Sequence, residues 1–326
     1  MSHPLPVVAI VTPYLAEANN GNWRTAHRWQ TLLRDDFEII VQNAWLPTET
    51  RKIDALIVLH ALRSAESARQ FRAQYPGKPL IVTLTGTDLY RDLKVSADAQ
   101  DTVAMADALV VLQEDAIVHV PREFRHKTHV IFQSAKPLTP AKKKRGTLNC
   151  VVVGHLRAEK DPETIFRLVE SLPDSLSIRI LHIGAPLDEK LAARARMLTE
   201  SNHHYHWAGP LAHGLARAAI KRADLLIHPS IMEGGANVIV EAISSGTPVV
   251  ASHMSGNIGM LGREYPGYFP VGDLLALKAL LTQCLDNANF LSRLNTACAA
   301  RAKLFLPETE RAGLCRMINQ ALARAI

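Results

Sequence analysis

The chain has 326 residues, of which 48% are hydrophobic and 21% are charged, a composition typical of globular proteins. No apolar run reaches the roughly 20 residues that a membrane-spanning helix needs, and the start, MSHPLPVVAIV, lacks the basic segment of a secretory signal. We therefore expect a cytoplasmic protein with no membrane partner. The net charge of +6 suits anionic ligands.

Short apolar runs recur along the chain and are separated by segments of helical length. In chain order these runs are VVAIV (7–11), ALIVL (55–59), PLIVTL (79–84), ALVVL (108–112), CVVVG (150–154), IRILHIG (178–184), LLIHP (225–229) and PVVAS (248–252). Continuous apolar strands that alternate with helices predict βαβ units and parallel sheets covered on both faces. The sequence therefore predicts an α/β protein built from doubly wound, Rossmann-like domains.

A stretch rich in proline and lysine divides the series of strands into two halves. The predicted N-terminal domain covers 1–138, a basic linker covers 139–148, and the C-terminal domain covers 149–326, with the last helices packing back on the first domain. The linker contains KKKR, a run that can contact nucleic acid. Preceding prolines, a following glycine and the absence of interleaved aromatic residues favour a solvated linker instead, so we expect no nucleic-acid partner.

The two domains are expected to face each other across a cleft that forms the active site, because ligands of open α/β sheets bind outside the carboxyl ends of the strands. Four cysteines lie too far apart for a CxxC motif, and core thiols are the simplest interpretation. No cluster of aspartates is typical of a magnesium site. We therefore expect neither a metal nor a cofactor.

The segment HPSIMEGGANVIVEAISSG (228–246) places Glu233 and Glu241 on either side of the start of a predicted helix. They are either a buried carboxylate pair without chemical meaning or a clamp for a ligand with hydroxyls and phosphates. Gly234 and Gly235 precede the helix, where free amides and the helix dipole favour a phosphate. Glu241 follows Asn237 by four residues on the same helical face and can accept hydrogen bonds from a ribose diol.

A second strand and turn occur in VVVGHLRAEKDP (151–162). Arg157 and Lys160 follow the strand and its glycine, and two cations there can neutralise a diphosphate leaving group without a metal. Taken alone, each of them is more simply interpreted as an ordinary surface charge. Their coincidence with the two glutamates in one predicted domain favours the binding role.

In the first half, the segment NNGN opens a helix just after the first strand. We expect Asn20, Gly21 and Asn22 to bind a small anion, with Gly21 able to adopt a positive φ.

Further candidates for the same acceptor site follow two other strands of this half. They are His60 and Arg63 after the strand at 55–59, and Thr85, Gly86 and Asp88 after the strand at 79–84. His60 is equally interpreted as a structural histidine. Asp88 is equally interpreted as a helix cap.

The pattern E-x7-E followed by SGTPVVAS, with a preceding G-x-x-x-x-E-K loop, resembles the GT-B glycosyltransferases of family 4. The resemblance implies the GT-B fold and a role for each motif residue. It assigns Lys160 to the diphosphate, Glu233 to the transferred sugar, the amides of Gly235 and Ala236 to phosphate and sugar, and Glu241 to the ribose. Family members usually carry arginine directly after the loop glycine. This chain has His155 there, with Arg157 as the alternative cation.

Further segments of the chain resemble, in order, the selenosugar synthases of selenoneine biosynthesis: NNGNWRTAHRW, LHALRSA, TLTGTDLYRDL, VVLQE, FQSA, GHLRAEKDP, MEGGANV and YPGYFPVGD. The resemblance implies transfer of N-acetylglucosamine, or glucose, from a UDP-sugar to selenophosphate, with a carbon–selenium bond formed at the anomeric carbon. It also implies a functional link to an enzyme that produces selenophosphate. An anionic selenium nucleophile is already activated, so a general base is unnecessary.

Two other functions compete with this interpretation. One is a family-4-like glycosyltransferase that acts on a hydroxyl of an envelope glycan or glycolipid. The aromatic content of 6% and the lack of a basic amphipathic helix in the first domain disfavour a lipid acceptor. The other is a nucleotide-sugar-binding protein without turnover, which the presence of Lys160 and both glutamates disfavours.

Overall fold

The computed structural model of the protein describes residues 4–13, 21–46, 48–49, 51–143 and 146–324. The strands in these residues form two six-stranded sheets, and every pairing in them is parallel. The strands are β1 (Val7–Val11), β2 (Glu38–Gln42), β3 (Ala55–Leu59), β4 (Leu80–Leu84), β5 (Ala108–Val111), β6 (Thr128–Val130), β7 (Leu148–Val153), β8 (Ile178–Ile183), β9 (Tyr205–Trp207), β10 (Leu225–His228), β11 (Val249–Ser252) and β12 (Tyr268–Phe269).

Helices separate most of the strands, as the βαβ pattern predicts, whereas in the described residues β2 is followed directly by β3 and β6 directly by β7. The α-helices are α1 (Gly21–Leu33), α2 (Ala65–Gln74), α3 (Thr87–Tyr90), α4 (Ala97–Met105), α5 (Pro162–Ser171), α6 (Glu189–Ser201), α7 (His213–Arg222), α8 (Asn237–Ile243), α9 (Ser255–Leu261), α10 (Leu274–Asp286), α11 (Ala288–Arg301) and α12 (Pro307–Arg324). Short 3₁₀ helices lie between some of them, including the turn Ala158–Lys160.

The chain divides into two compact units. The first comprises Met1–Ser134 together with Pro307–Ile326, and its sheet has the order β2-β1-β3-β4-β5-β6. The second comprises Ala135–Leu306, with the order β12-β11-β10-β7-β8-β9. The boundary thus lies at Ser134 rather than at residue 138, and α12 belongs to the first unit.

Both faces of the first sheet are buried, which explains its continuous apolar strands. Leu56 and Val58 of β3 pack in one cluster with Phe71 of α2. Ile57 of the same strand packs in a second cluster with Trp29 of α1 and with residues of α12. Since successive side chains of a strand point to opposite faces, a strand covered by helices on both faces must be apolar at every position.

Helix α12 is attached to the first unit through the buried carboxylate of Glu310. This carboxylate accepts hydrogen bonds from Arg28 Nε at 2.9 Å, from the indole Nε1 of Trp29 at 2.7 Å and from the amide of Ser134 at 2.8 Å. A buried carboxylate is tolerated because each of these donors satisfies it. In the described part of the chain, none of the helices combines the length and the hydrophobicity needed to cross a membrane.

The strands that the sequence did not predict are β2, β6, β9 and β12, and each lies at an edge of its sheet. Edge strands are covered less completely, and their apolar runs are short, such as the three residues 39–41 of β2. In β2, Glu38 is exposed and the other residues are partly buried, and β6 has no fully buried residue.

Candidate active site

In the second unit, Glu233 lies in the loop that follows β10 and precedes α8. The backbone of this loop lies directly against α9, because a Cβ placed on Gly256 would collide with the carbonyl group of Glu233. Only glycine permits so close an approach. Gly256 therefore fixes the loop that presents Glu233 at the carboxyl edge of the sheet.

Lys160 reaches the same point from the loop after β7. This loop turns through the 3₁₀ helix Ala158–Lys160 and through Asp161, which has a left-handed φ of 47° and caps α5 through its side chain. The amide of Ile231 donates to the carbonyl of Glu159 at 2.9 Å and joins this loop to the one after β10. The ammonium of Lys160 forms an ion pair with Oε1 of Glu233.

The carboxylate of Glu233 is strongly stabilised in its charged form. Burial alone raises the pKa of Glu233, but the ammonium of Lys160 and the imidazole of His228 outweigh burial and hold that pKa well below its usual range. His228 Nε2 lies 3.4 Å from Glu233 Oε1. Burial lowers the pKa of His228, against the attraction of Glu233, so this histidine is neutral at physiological pH.

Glu241 lies on α8 and is buried, with a relative exposure of 6%. Its Oε1 is 2.6 Å from Nε2 of His213, the first residue of α7. Asn237 begins α8, so it lies one turn before Glu241 on the same face. Gly234 and Gly235 lie at the amino end of α8, just before its N-cap Ala236.

Arg157 and His155 occupy the loop that carries Lys160. Arg157 is exposed, and its Nε lies 3.9 Å from a carboxylate oxygen of Glu159. His155 Nδ1 accepts a hydrogen bond from the amide of Ala185 at 3.0 Å, and this contact places the ring proton on Nε2 in the neutral imidazole. Lys160 is thus the cation of this loop that is paired with Glu233, whereas Arg157 points towards a different carboxylate.

In the first unit, the structure corrects the prediction that Asp88 binds an acceptor. Asp88 is completely buried. Its carboxylate accepts the amides of Ala61, Thr85, Gly86 and Leu89 at 2.8–3.0 Å. Because the amides of Thr85 and Gly86 donate to Asp88, they are not available to bind an anion. Asp88 is not the N-cap of α3 either, since that cap is Gly86; its carboxylate instead joins the loops after β3 and β4.

His60 follows β3 with a positive φ of 77°, an uncommon conformation for a residue other than glycine. Its Nδ1 accepts the amide of Arg63 at 3.3 Å, and its Nε2 lies 2.9 Å from the hydroxyl of Thr87. Burial lowers the pKa of His60. The structure brings His60 close to Asp92 as well, at 3.8 Å, while the side chain of Arg63 is exposed.

The predicted anion-binding turn is only partly described. Asn20 lies outside the described residues. Gly21 is the first residue of α1, and the positive φ expected of it stays a prediction. Asn22 is half-buried in the first turn of α1.

The sequence did not single out His213 and His228 as site residues, although the structure places each of them against one of the two glutamates. His228 carried a weak signal, because it is the only polar residue in the strand LLIH. Nothing in the local sequence pointed to His213, because it lies 28 residues before Glu241.

Among the described residues, a group of potential metal ligands lies away from these glutamates. Asp174, His203 and His204 have ligand atoms within 4.8 Å of one another. Asp174 follows α5 and the two histidines precede β9, so the group lies at the amino end of that strand. The absence of a metal at the donor site stays a prediction.

Comparison with known proteins identifies the second unit. Residues 138–303 match the family model described as "Glycosyl transferases group 1". The chain belongs to this family. Over 128 residues it is 32% identical to a phosphatidyl-myo-inositol mannosyltransferase from Mycobacterium leprae, a match that spans 37% of this chain and only 33% of that relative's length.

Solved structures of glycosyltransferases have the same architecture. The sucrose-phosphate synthase from Thermosynechococcus elongatus matches with a TM-score of 0.78 and 16% identity, over 98% of this chain and 100% of that chain. HepE from Anabaena, solved in complex with UDP-glucose, matches with a TM-score of 0.73 and 13% identity, over 97% and 100% of the two chains. At these identities the likeness concerns the fold, and it confirms the predicted α/β GT-B fold class.

Proposed function

We propose that the protein transfers N-acetylglucosamine, or glucose, from a UDP-sugar to selenophosphate and forms a 1-selenosugar. The proposal rests on the two glutamates around the start of α8: Glu233 precedes the helix and is paired with Lys160, and Glu241 lies within it and is paired with His213. Family membership supports sugar transfer. The presence of UDP-glucose in HepE supports a UDP-sugar as the donor.

Each part of the donor then has a partner of suitable chemistry. The carboxylate of Glu241 accepts the ribose hydroxyls, as carboxylates do from vicinal diols. Lys160 stabilises the diphosphate, on which negative charge grows as the sugar departs. Glu233 holds hydroxyls of the transferred sugar, and the amides at Gly235 and Ala236 contact phosphate and sugar. These roles need no metal and no cofactor.

In the reaction, the selenium of selenophosphate attacks the anomeric carbon. The bond between that carbon and the diphosphate oxygen breaks, and UDP leaves with the electron pair. Selenophosphate is supported by the resemblance of segments along the chain to selenosugar synthases, and its anionic selenium needs no base. Asn20, Asn22, His60 and Arg63 are the remaining candidates for binding this acceptor.

The test is an incubation of the protein with UDP-N-acetylglucosamine or UDP-glucose and selenophosphate, in excess EDTA. We expect release of UDP that depends on selenophosphate and a product whose mass contains sugar and selenium. The product mass also reports whether the phosphoryl group remains on selenium. Release of UDP at the same rate without selenophosphate, or no release at all, would contradict the proposal.

A second candidate function is transfer to a hydroxyl of an envelope glycan or glycolipid. The similarity to a phosphatidyl-myo-inositol mannosyltransferase favours it. In the same assay, a hydroxyl acceptor such as phosphatidylinositol would then replace selenophosphate. A nucleotide-sugar-binding protein without turnover would bind UDP and give no product with either acceptor.

A further inference from the structure

His228 is a buried histidine that contacts the proposed catalytic pair from the sheet side. It is the last residue of β10 and is 2% exposed. Its Nε2 faces Glu233 Oε1 at 3.4 Å, a distance long for a hydrogen bond. In the described part of the chain this nitrogen has no closer partner.

The distance from His228 to Glu233 is long in a structure in which Lys160 already binds the same carboxylate oxygen. Lys160 Nζ and His228 Nε2 both approach Oε1 of Glu233. The two side chains differ in mobility, because a lysine has a flexible stem of four carbons, whereas the imidazole of His228 is buried at the end of a central strand. One partner of Glu233 can therefore leave, and the other stays in place.

A diphosphate competes with Glu233 for the ammonium of Lys160. When Lys160 turns to the donor, the carboxylate of Glu233 remains largely buried, since its side chain is 12% exposed. A buried carboxylate without a donor is costly. It is then expected either to take up a proton or to rotate away from the sugar, and both outcomes remove the oriented carboxylate that the reaction uses.

We propose that His228 is a positioning residue that holds the Glu233 carboxylate through its Nε2–H when Lys160 turns to the donor diphosphate. The departure of Lys160 rests on the proposed function. The contact between His228 and Glu233 is present in the free protein, so it can be tested without any substrate.

The first test uses the free protein, labelled with ¹⁵N at histidine, and the substitution Lys160→Met. With the ammonium removed, the His228 Nε2–H bond to Glu233 shortens, and its proton signal moves downfield in the NMR spectrum. The signal is assigned by its loss in His228→Gln. The ring of His204, which bonds the carbonyl of Ile178 at 2.8 Å, is an internal control that stays unchanged. An unmoved His228 signal would overturn the proposal.

The second test compares two substitutions of His228 in the transfer reaction. Glutamine can place an N–H near the position of Nε2, whereas leucine cannot. We expect His228→Leu to lower kcat by about tenfold, the loss of one hydrogen bond to a charged group. His228→Gln should recover most of that loss, and both variants should bind UDP, which lacks the sugar, like the wild type.

His204→Leu, which removes another buried histidine of the same unit, is the matched control and leaves kcat per folded molecule unchanged. If kcat falls equally in the leucine and glutamine variants of His228, the histidine has a merely structural role. If kcat falls in neither, His228 has no role in the reaction. Either result overturns the proposal. If the wild-type protein transfers no sugar, the proposed function fails, and the NMR experiment alone decides the inference.

Discussion

Two carboxylates follow central strands at the carboxyl edges of the two sheets, and their partners differ. Asp88 of the first unit has both oxygens bonded to backbone amides and no exposed surface. Glu233 of the second unit contacts the side chains of Lys160 and His228. Backbone amides cannot leave without unfolding their loop, but a lysine can exchange a carboxylate for a phosphate. The kind of partner therefore decides which carboxylate organises a loop and which is available for chemistry.

The largest effect is expected from Asp88→Ala, measured as the free energy of unfolding in urea. Each buried amide left without an acceptor costs about 1–3 kcal/mol, so we expect a loss of at least about 3 kcal/mol. The exposed Asp98, which pairs with Arg69, is the matched control, and Asp98→Ala should cost less than about 1 kcal/mol. Equal stabilities of the two variants would contradict a structural role for Asp88.

The substitution Lys160→Ala should lower the rate of turnover. In the proposed mechanism the ammonium stabilises charge that grows on the diphosphate in the transition state, so kcat should fall by about 10²-fold and the affinity for the donor should fall less. Arg157→Ala is the control from the same loop and should change kcat far less, since Arg157 is exposed and does not contact Glu233. A Lys160→Ala variant with near-normal turnover would show that another group neutralises the diphosphate.

Glu241→Ala should weaken UDP binding, measured by calorimetry. In the proposed site the ribose of UDP loses a charged acceptor of its hydroxyls, at a cost of about 1.5–3 kcal/mol. Glu264→Ala removes an exposed glutamate of the same unit and should leave the affinity unchanged. If both variants bind UDP equally well, the ribose does not contact Glu241.

The sequence predicted the central strands and the glutamates because each leaves a local pattern. In β3, every residue from Ala55 to Leu59 is buried, and burial on both faces produces an unbroken apolar run. The two-residue strand β12, at an edge, leaves no such run. Glu233 and Glu241 were identified by their spacing around the start of one helix.

Contacts between segments distant in sequence could not be predicted in this way. The pairing of His213 with Glu241 depends on how α7 packs beside α8. For Asp88, the sequence shows a carboxylate after a strand, but not that the amides of two loops fold onto it. The same limit applies to Gly21, because a glycine after asparagines is compatible both with a positive φ and with the first turn of a helix.

The smallest effect concerns Gly21→Ala. Gly21 is helical and a Cβ there meets no atom within 4 Å, so the substitution should raise the free energy of unfolding by about 0.5–1 kcal/mol. Urea unfolding of this variant beside the wild type measures the change. A marked loss of stability would instead indicate a strained backbone at this residue.

The proposed donor site lies at the carboxyl edge of the second sheet, and hydrogen exchange measured with and without UDP tests this placement. Added UDP should slow amide exchange in the segments 154–161 and 230–241, which carry Lys160, Glu233 and Glu241. The amides of Thr85, Gly86 and Leu89, already bonded to Asp88, should exchange slowly in both states. If added UDP slows amide exchange in segment 85–89 and leaves it unchanged in segment 230–241, UDP binds in the first unit, which contradicts the proposed placement.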